Sequence, residues 1–545
     1  MEVQSLRRLD QWKALLEDPS GELYRKLIGI YGGRDLLDPP LALLRRTLEE
    51  FVRSWGADRR AFIVRSTGRV NLLGMHVDHR GGSVNPIAIK EAFFVVEPRD
   101  DDRVVLRDLE SDKFPEESFA ISECLPRGKK IADWDAWCHD ELEKRKGDPH
   151  ITYSNYFRAG VLYFQHLHTA PEGRFAPAFR GMNIMVGSNV PPAAGLSTSS
   201  CLVVAAAQAA LHINGLEIDP MEFAEHCGWA EWYVGTRGGF GDHAAISLGE
   251  LNHIVHMTAF PFTLRKVPFP AGYRMVLADS LVEAKKQAAA KDGYNAPLAA
   301  YAFGLWLARK RYPQHAEKMR HLRDINPQTL GVGEAEILRM LKGLPERATR
   351  SAVLAELPEK KADIEKIFRT HNEPRDGYRI RGVCLYGIAE CIRSNLAVER
   401  LESGDVEGFG RLIGLHHEGD RVARLKNGRM QPEVKDYSDA RMDALIADAE
   451  SGDPKRVERA RLWAQGGAYN VSVPEIDLLV DIALSAKGVV GAGLVGAGLG
   501  GSMIALVRKE NARDVVEAMA SAYYRPRNLP VRAEIVVPVG GAGIL

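Results

Sequence analysis

The stretch Val190-Pro-Pro-Ala-Ala-Gly-Leu-Ser-Thr-Ser-Ser-Cys201 decides how the rest of this sequence is interpreted. Two prolines end a strand-like run at 182–186, Gly195 supplies a turn, and four hydroxyl residues stand where an Ala-rich helix begins. A helix N-terminus exposes unpaired N–H groups and the positive end of the helix dipole, which bind phosphate. The hydroxyls would also offer Mg²⁺ an oxygen ligand. The stretch is therefore either a phosphate loop or the Ser-capped start of a core helix.

Composition and charge exclude several functional classes. A length of 545 residues predicts two lobes with insertions rather than one simple core. Lys plus Arg and Asp plus Glu both number 72, which gives no electrostatic basis for binding nucleic acid or an anionic membrane. We expect no secretory signal and no membrane span. Six scattered cysteines without paired spacing predict reduced thiols in a cytoplasmic protein.

A second glycine-rich segment concentrates polar side chains between two strand-like runs: Ser66-Thr-Gly-Arg-Val-Asn-Leu-Leu-Gly-Met-His-Val-Asp-His-Arg-Gly-Gly82. Glycines let the backbone approach a ligand closely, and Arg, His and Asp are suitable partners for a small polyhydroxy substrate. The spacing His-x-Asp-His is also compatible with a zinc site, and the whole segment with a solvated turn.

Two further glycine-rich turns carry possible chemistry. Gly235-Thr-Arg-Gly-Gly-Phe-Gly-Asp-His243 ends in an Asp that is either a turn residue or a carboxylate close to a substrate hydroxyl. Gly491-Ala-Gly-Leu-Val-Gly-Ala-Gly-Leu-Gly-Gly501 contains a formal G-x-G-x-x-G. We reject a dinucleotide site there because a predicted helix precedes the motif and a predicted strand follows it. A loop packed against a neighbouring phosphate site is the better interpretation, and no P-loop motif is present.

Together these stretches resemble the GHMP kinase superfamily. The segment at 66–82, which is the first motif in chain order, resembles the galactokinase branch of that superfamily. Gly68-Arg-Val-Asn-Leu-Leu-Gly-Met-His-Val-Asp-His79 is similar to the galactokinase signature Gly-Arg-x-Asn-Leu-Ile-Gly-Glu-His-x-Asp-Tyr. Pro191 to Ser200 is similar to the superfamily motif that wraps the ATP phosphates, and Gly491 to Gly501 to its third motif. Gly238-Gly-Phe-Gly-Asp-His243 is similar to the galactokinase Gly-Ile-Met-Asp-Gln turn.

The resemblance implies an α+β, two-lobed GHMP kinase fold. The resemblance does not explain residues 1–60, where apolar residues at helical spacing predict a helical N-terminal extension that covers the site, extends a lobe or makes an oligomer contact. Residues 61–270 would form a ribosomal protein S5 domain 2-like lobe with the ATP phosphate loop. Residues 271–545 would form an α+β C-terminal lobe, with a sheet that starts at the third motif and a polar surface insertion near 425–468.

The resemblance also implies roles for individual residues in an ATP-dependent, Mg²⁺-assisted sugar 1-kinase. Asp242 would accept or orient the proton of the anomeric hydroxyl, and Arg69 would stabilise charge and keep Asp242 ionised. The remaining positions fall into three groups: Gly195, Leu196, Ser197, Thr198, Ser199 and Tyr153 for ATP, with Tyr153 near the adenine; Ser199 and Glu231 for Mg²⁺; and Met75, His76, Asp78, Gly239 and Tyr294 for the sugar.

Met75 departs from the galactokinase signature, which has at this position a Glu that resembles a ligand for the C6 hydroxyl. Methionine accepts no useful hydrogen bond, and a residue without charge no longer repels a C6 carboxylate. Residues 74–82 are also similar to plant galacturonokinase. Galactose, galacturonate, arabinose and a deoxy sugar therefore all stay open as substrates. A GHMP kinase for a non-sugar alcohol and a non-catalytic sugar or ATP sensor are the alternatives, and the oligomeric state is open.

Overall fold

The computed structural model describes residues 5–126, 129–145, 153–173, 178–235, 239–283 and 288–545. These residues form two lobes, each with one main β-sheet and several helices. None of the helices described combines the length and the apolar character that a membrane span requires.

Within the residues described, the first lobe contains nine strands and nine helices before residue 270, and the short strand at 543–544 returns to it. The strands are β1 Arg7–Arg8, β2 Arg60–Asn71, β3 Ser83–Val84, β4 Pro86–Pro98, β5 Arg103–Asp108, β6 Glu117–Ala120, β7 Met182–Ser188, β8 His253–Thr258 and β9 Thr263–Pro268. The helices are α1 Leu9–Glu17, α2 Glu22–Tyr31, α3 Asp38–Trp55, α4 Ile121–Cys124, α5 Trp134–Lys144, α6 Ser154–Leu167, α7 Thr198–Ile213, α8 Pro220–Ala230 and α9 Gly241–Leu248.

The second lobe is mainly helical around a small sheet. Its helices are α10 Ala288–Arg311, α11 Pro327–Leu330, α12 Glu334–Lys342, α13 Arg350–Glu356, α14 Lys361–Phe368, α15 Ile380–Glu402, α16 Val406–Asp420, α17 Asp439–Ala449, α18 Pro454–Ala460, α19 Pro474–Ser485 and α20 Ala512–Met519. The remaining strands are β10 Tyr273–Asp279, β11 Ala423–Lys426, β12 Arg429–Pro432, β13 Val489–Leu494, β14 Ser502–Arg508, β15 Ala533–Val536 and β16 Gly543–Ile544.

The main sheet of the first lobe has the order β1-β2-β4-β7-β5-β6, with β16 beside β2. Only β5 and β7 pair in parallel among these strands. Helices α6 to α9 pack on one face of the sheet, and α1 to α3 cover the other. Coverage of both faces explains why β2 and β4 read as almost continuous apolar runs rather than as alternating patterns.

The N-terminal extension is thus a structural layer of the first lobe. Trp12 is buried and donates its indole N–H to the Ala61 carbonyl at 2.8 Å, which fixes α1 against the start of β2. Leu27, Leu44 and Phe51, one from α2 and two from α3, are fully buried in the same cluster. Burial of these apolar stripes is what orders the helices.

The sheet of the second lobe differs from the prediction that it starts at the third motif. Its antiparallel order is β13-β14-β10-β15, so β10, which leaves the first lobe more than two hundred residues earlier, lies between two later strands. The sequence between β10 and β13 forms the helical part of the lobe. Pairing between strands so distant in sequence cannot be deduced from local patterns.

The segment expected to be a surface insertion near 425–468 is only partly on the surface. Its hairpin β11–β12 is mostly exposed, but Met442, Leu445 and Ile446 of α17 are buried together with Leu462. They join the hydrophobic core of the second lobe. The polar composition concealed one short apolar face at helical spacing.

The end of the chain ties the two lobes together. After β15 in the second lobe, residues 537–545 cross back to the first lobe, and Leu545 N–H donates to the Ile63 carbonyl at 2.8 Å. Arg65 is almost completely buried beneath this crossing. It donates to the carbonyls of Gly540 and Gly541 at 2.8 and 3.0 Å and to the Tyr31 hydroxyl at 2.8 Å.

We predict that Arg65→Met lowers the free energy of unfolding by roughly 3 kcal/mol, because buried carbonyls lose a charged donor. Urea denaturation followed by tryptophan fluorescence measures the loss. Arg53→Met is the matched control, since Arg53 is exposed and pairs only with Glu50 one helical turn away. The control should change stability by less than about 0.5 kcal/mol. Equal losses in both variants would show that Arg65 does not hold the chain end.

Candidate active site

Arg69 lies near the end of β2, just beyond a bulge in the pairing of β2 with β4 between Ser66 and Gly68. A Cβ added to Gly68 would lie 3.0 Å from the Leu196 carbonyl oxygen, a contact closer than side chains normally make. Glycine therefore allows the strand to touch the loop before α7, and the Arg69 N–H donates to Leu196 at 3.0 Å. This close contact between strand and loop fixes the position of the Arg69 backbone, and with it the start of the Arg69 side chain.

Arg69 and Asp242 form a bidentate ion pair. Arg69 donates from Nε to Oδ1 of Asp242 at 2.7 Å and from Nη2 to Oδ2 at 2.6 Å. Its remaining nitrogen, Nη1, donates to the Gly195 carbonyl at 2.7 Å, and the Ser197 hydroxyl donates to Oδ2 of Asp242. One guanidinium thus links a strand, the loop before α7 and the first turn of α9.

This ion pair sets the charge of Asp242. Loss of water around the carboxylate would raise its pKa, but the charge and hydrogen bonds of Arg69 and the Ser197 hydroxyl outweigh that effect and hold the pKa below its ordinary value. The Arg69 side chain is 12% exposed and that of Asp242 41%. Asp242 is therefore an ionised acceptor with part of its surface open.

The loop before α7 has the conformation of an anion-binding turn. Helix α7 begins at Thr198, and Ser197 and Gly195 have the positive φ angles 55° and 80°. The Thr198 hydroxyl donates to the Pro191 carbonyl at 2.9 Å and closes the loop across its base. The first N–H groups of a sixteen-residue helix are directed at whatever lies in front of the loop.

The third glycine motif packs directly on this loop, as the sequence predicted. A Cβ on Gly195 would lie 3.1 Å from the Val495 carbonyl oxygen, and Ser502 donates its hydroxyl to Ala194 at 2.9 Å. The motif begins within β13 and ends at the start of β14. Its first glycines therefore lie in a strand, contrary to the prediction that a helix directly precedes the motif. No helix follows the glycines, so rejection of the dinucleotide site stands.

Glu231 is buried behind the start of α7 and accepts several hydrogen bonds. Ser200 donates to Oε2 at 2.9 Å, Nε2 of His243 lies 2.8 Å from Oε2, and Ser199 lies near enough to influence the carboxylate. Burial would raise the pKa of Glu231, but these neighbours lower it below its ordinary value. The carboxylate is therefore charged, and a carboxylate beside hydroxyls is an oxygen set that suits Mg²⁺.

A cavity of about 1200 Å³ extends in front of the loop between the lobes. Its walls include Tyr153 and Phe114 from the first lobe, Val495 and Arg532 from the second, and Tyr31 from the N-terminal helices. The rings of Tyr153 and Phe114 lie 4.6 Å apart, centroid to centroid. The cavity is large enough for a nucleotide and offers it an aromatic surface.

Two of the predicted sugar-binding residues, Asp78 and Gly239, lie against each other. Oδ2 of Asp78 would lie 3.5 Å from a Cβ on Gly239, and Oδ1 lies 3.0 Å from Nδ1 of His79. Burial would raise the pKa of Asp78, but His79 lowers it to about 2. Desolvation and the charges of Asp78 and Asp242 raise the pKa of Tyr294 to about 12, so its hydroxyl stays protonated.

His76 and Met75 are more buried than a simple surface contact with a sugar would require. His76 stacks on Tyr469, with centroids 4.2 Å apart, and its Nε2 lies 3.5 Å from Oδ2 of Asp420. Met75 is only 4% exposed. Tyr469 and Asp420 were not predicted from the sequence, because they follow the first motif by more than three hundred residues.

Models of known protein families match three regions of the chain. A family model for the GHMP kinases N terminal domain matches residues 155–250, one for the GHMP kinases C terminal matches residues 442–525, and the galactokinase galactose-binding signature matches residues 49–96. The chain therefore contains the N-terminal and C-terminal domains of the GHMP kinases together with the galactokinase signature. The three matches lie in the order that the glycine motifs predicted.

Known relatives of this GHMP kinase are similar along most of their length. The chain is 26% identical to the galactokinase of Chloroflexus aggregans, over 85% of this chain and 87% of that protein. It is also 26% identical to the galactokinase of Saccharomyces cerevisiae, over 88% of each. The crystal structure of Lactococcus lactis galactokinase complexed with galactose superposes with a TM-score of 0.60 at 18% identity, over 91% of this chain and 98% of that one, which confirms the two-lobed fold.

A network of buried charged side chains contacts the first motif of this GHMP kinase at the Gly74 backbone. The Gly74 N–H donates to Oε1 of Glu390 at 2.6 Å, and Arg393 donates to Oε2 of Glu390 at 2.7 Å. His416 lies 3.3 Å from Glu390 and 3.5 Å from Asp420, and all four charged side chains are completely buried. A Glu in the apolar run of α15 signals such a network, since a buried charge needs partners, but it does not identify them.

Gly238, the first residue of the turn that is similar to the galactokinase Gly-Ile-Met-Asp-Gln turn, is not among the residues that the structure describes.

We predict that the network makes stability depend on pH. Burial would lower the pKa of His416, but Glu390 and Asp420 raise it above its ordinary value of 6.5. Its stabilising charge is present below pH 6.5 and is lost as the pH rises through the raised value. The stability difference between wild type and His416→Gln, from urea denaturation, should therefore shrink as the pH rises from 6.

His417→Gln is the matched control with the opposite sign. Burial lowers the pKa of His417, so the unfolded chain binds the proton more tightly, and the wild-type advantage over this variant should grow as the pH rises. Parallel pH profiles for the two variants would contradict the assignment of charge in this network.

Proposed function

We propose that this GHMP kinase transfers the γ-phosphoryl group of ATP to the anomeric hydroxyl of a monosaccharide. The observation that carries the proposal is the Arg69–Asp242 pair, which places an ionised acceptor beside the N-terminus of α7. Phosphoryl transfer depends mainly on positioning and charge stabilisation, and this arrangement supplies both. Relatives that are named galactokinase, and the galactose-binding signature, support the sugar as acceptor.

In the proposed reaction Asp242 accepts the proton of the anomeric hydroxyl as the sugar oxygen forms its bond to the γ-phosphorus. The bond between that phosphorus and the bridging oxygen breaks, and ADP leaves. Arg69 keeps Asp242 ionised beforehand and stabilises negative charge on the transferring group. Ser197, which donates to Asp242, holds the carboxylate in one orientation.

The N–H groups at the start of α7 would bind the phosphates, with the backbone from Gly195 to Ser199 around them. Ser199 and Glu231 would hold Mg²⁺ directly or through water, because their hard oxygens lie together at the helix start. Bound Mg²⁺ would supply positive charge that neutralises the phosphate oxygens. Tyr153 would lie against the adenine, in the wall of the cavity.

Asp78, the backbone at Gly239 and Tyr294 would hold the sugar hydroxyls. Asp78 contributes a charged acceptor, and Tyr294 contributes a protonated donor within electrostatic reach of both carboxylates. His76 would complete this side, since its ring is fixed by Tyr469 and Asp420.

We predict that purified protein releases ADP from Mg·ATP in the presence of one class of monosaccharide, in a panel of galactose, galacturonate, glucuronate, arabinose, fucose and galactosamine with mevalonate as a non-sugar alcohol. Asp242→Asn should lower this turnover by at least ~100-fold, because the amide cannot accept the proton. A coupled ADP assay measures turnover, and calorimetry with ATP confirms that the nucleotide still binds.

Asp453→Asn is the control, since Asp453 only caps the remote helix α18 and asparagine caps a helix equally well. Near-normal turnover in Asp242→Asn would remove this residue from the mechanism. Turnover with mevalonate alone would move the acceptor to a non-sugar alcohol, and sugar binding without ADP release would indicate a sensor.

Residue 75 provides a test of the chemistry at C6. We predict that Met75→Glu raises kcat/KM for sugars with a free C6 hydroxyl relative to uronic acids by about 10-fold, since a carboxylate accepts the hydroxyl and repels an acid. Competition between galactose and galacturonate in one assay gives the ratio directly. An unchanged ratio would show that residue 75 does not contact C6.

A further inference from the structure

Three hydrogen-bond donors are buried without partners beside the proposed sugar site. The hydroxyls of Tyr301 and Tyr469 belong to fully buried side chains and have no hydrogen-bond partner within the described residues. Nε of Arg80 is likewise buried and unpaired there. Buried donors are rarely left unpaired because the loss of water is not compensated. Three of them together indicate a group that a ligand supplies.

These donors form one cluster. The rings of Tyr301 and Tyr469 lie 5.6 Å apart, and the Arg80 guanidinium carbon lies 5.7 Å from the centroid of Tyr301. Tyr469 also stacks on His76 of the first motif. Helix α10, the first motif and the segment before α19 therefore converge on one polar site with aromatic walls.

The cluster carries an uncompensated positive charge. Arg80 donates from Nη2 to the Leu298 carbonyl at 2.9 Å, but it has no carboxylate within 4 Å among the residues described. Asp78 and Asp420 act on the cluster from nearby, but each already faces a histidine of the first motif. Arg80 is only partly exposed and its Nε is buried, and a guanidinium so placed without an anion is costly, so the missing partner is expected to be anionic.

The cluster adjoins the first motif beside Asp78. The ring centroid of Tyr301 lies 6.4 Å from that of His79, and Tyr469 stacks on His76. Asp78 in turn lies against Gly239, three residues before Asp242, since a Cβ on Gly239 would lie 3.5 Å from its Oδ2. A sugar with its anomeric hydroxyl at Asp242 and another hydroxyl at Asp78 would therefore have a further group within reach of this cluster.

We propose that Arg80, Tyr301 and Tyr469 bind the carboxylate of an acidic monosaccharide, so that the acceptor of this GHMP kinase is a uronic acid. The inference rests on the proposed function for the position of the anomeric hydroxyl. A carboxylate has two oxygens that accept several hydrogen bonds and a charge that matches the guanidinium. A neutral hydroxymethyl group would leave the charge of Arg80 without an anion, and apolar Met75 adds no competing charge.

Steady-state kinetics with matched pairs tests the proposal: galacturonate against galactose, and glucuronate against glucose. We expect wild type to prefer one uronate over its neutral partner by at least ~10-fold in kcat/KM. Arg80→Gln should lower kcat/KM for that uronate by about 10- to 100-fold, with less than about 3-fold change for the neutral sugar. Loss of the preference, not loss of overall activity, is the decisive result.

Tyr301→Phe and Tyr469→Phe remove one donor each with little change in shape, so they keep the test valid if Arg80→Gln does not fold. Each should lower the uronate preference by about 3- to 10-fold. Tyr523→Phe is the matched control, because Tyr523 is buried elsewhere and donates to the Ser280 carbonyl at 2.7 Å. It should leave the preference unchanged.

Calorimetric titration of galacturonate and galactose, in the presence of a non-hydrolysable ATP analogue, separates this inference from the proposed function. Preference for neutral sugars in wild type, or an unchanged preference in the Arg80 and tyrosine variants, would overturn the carboxylate site while sugar phosphorylation stands. Arg80-dependent binding of a uronate without any phosphorylation would support the site and overturn the proposed reaction. Absence of binding and turnover with every sugar would overturn both.

Discussion

The ion pair between Arg69 and Asp242 is the constraint on which the rest of the site depends. All three nitrogens of the guanidinium are used, two on the carboxylate and one on the Gly195 carbonyl. The pair therefore fixes the distance between the acceptor and the anion-binding loop, and at the same time keeps the acceptor charged. Such a link is possible only because Gly68 lets β2 approach the loop before α7.

The two lobes contribute different parts of this site, and several contacts fix their positions relative to each other. The third glycine motif of the second lobe packs on the phosphate loop of the first, and the end of the chain returns across Arg65. The buried network around Glu390 joins the first motif to α15 and α16. Because buried charges with partners are costly to separate, these contacts hold the proposed sugar side as firmly as the proposed nucleotide side.

Much of the site could be predicted from sequence because its chemistry lies in short local motifs. Gly195 to Ser199, Arg69, Asp78 and Asp242 stand in glycine-punctuated segments whose residue types match phosphate and sugar binding. Tyr469, Asp420 and Glu390 could not be placed, since each meets the first motif only through tertiary packing. The position of β10 between β14 and β15 is likewise a product of long-range pairing, about which local periodicity contains no information. The buried face of α17 does follow a helical period, but it is short and stands in a polar segment.

The central claim is that phosphate from ATP reaches the anomeric oxygen of a sugar. The most direct test is a proton-coupled ³¹P spectrum of the product formed with the best acceptor, read together with the ¹H spectrum. The account predicts one sugar phosphate whose phosphorus couples to the anomeric proton. Coupling to a proton elsewhere on the acceptor, or release of inorganic phosphate alone, would contradict it.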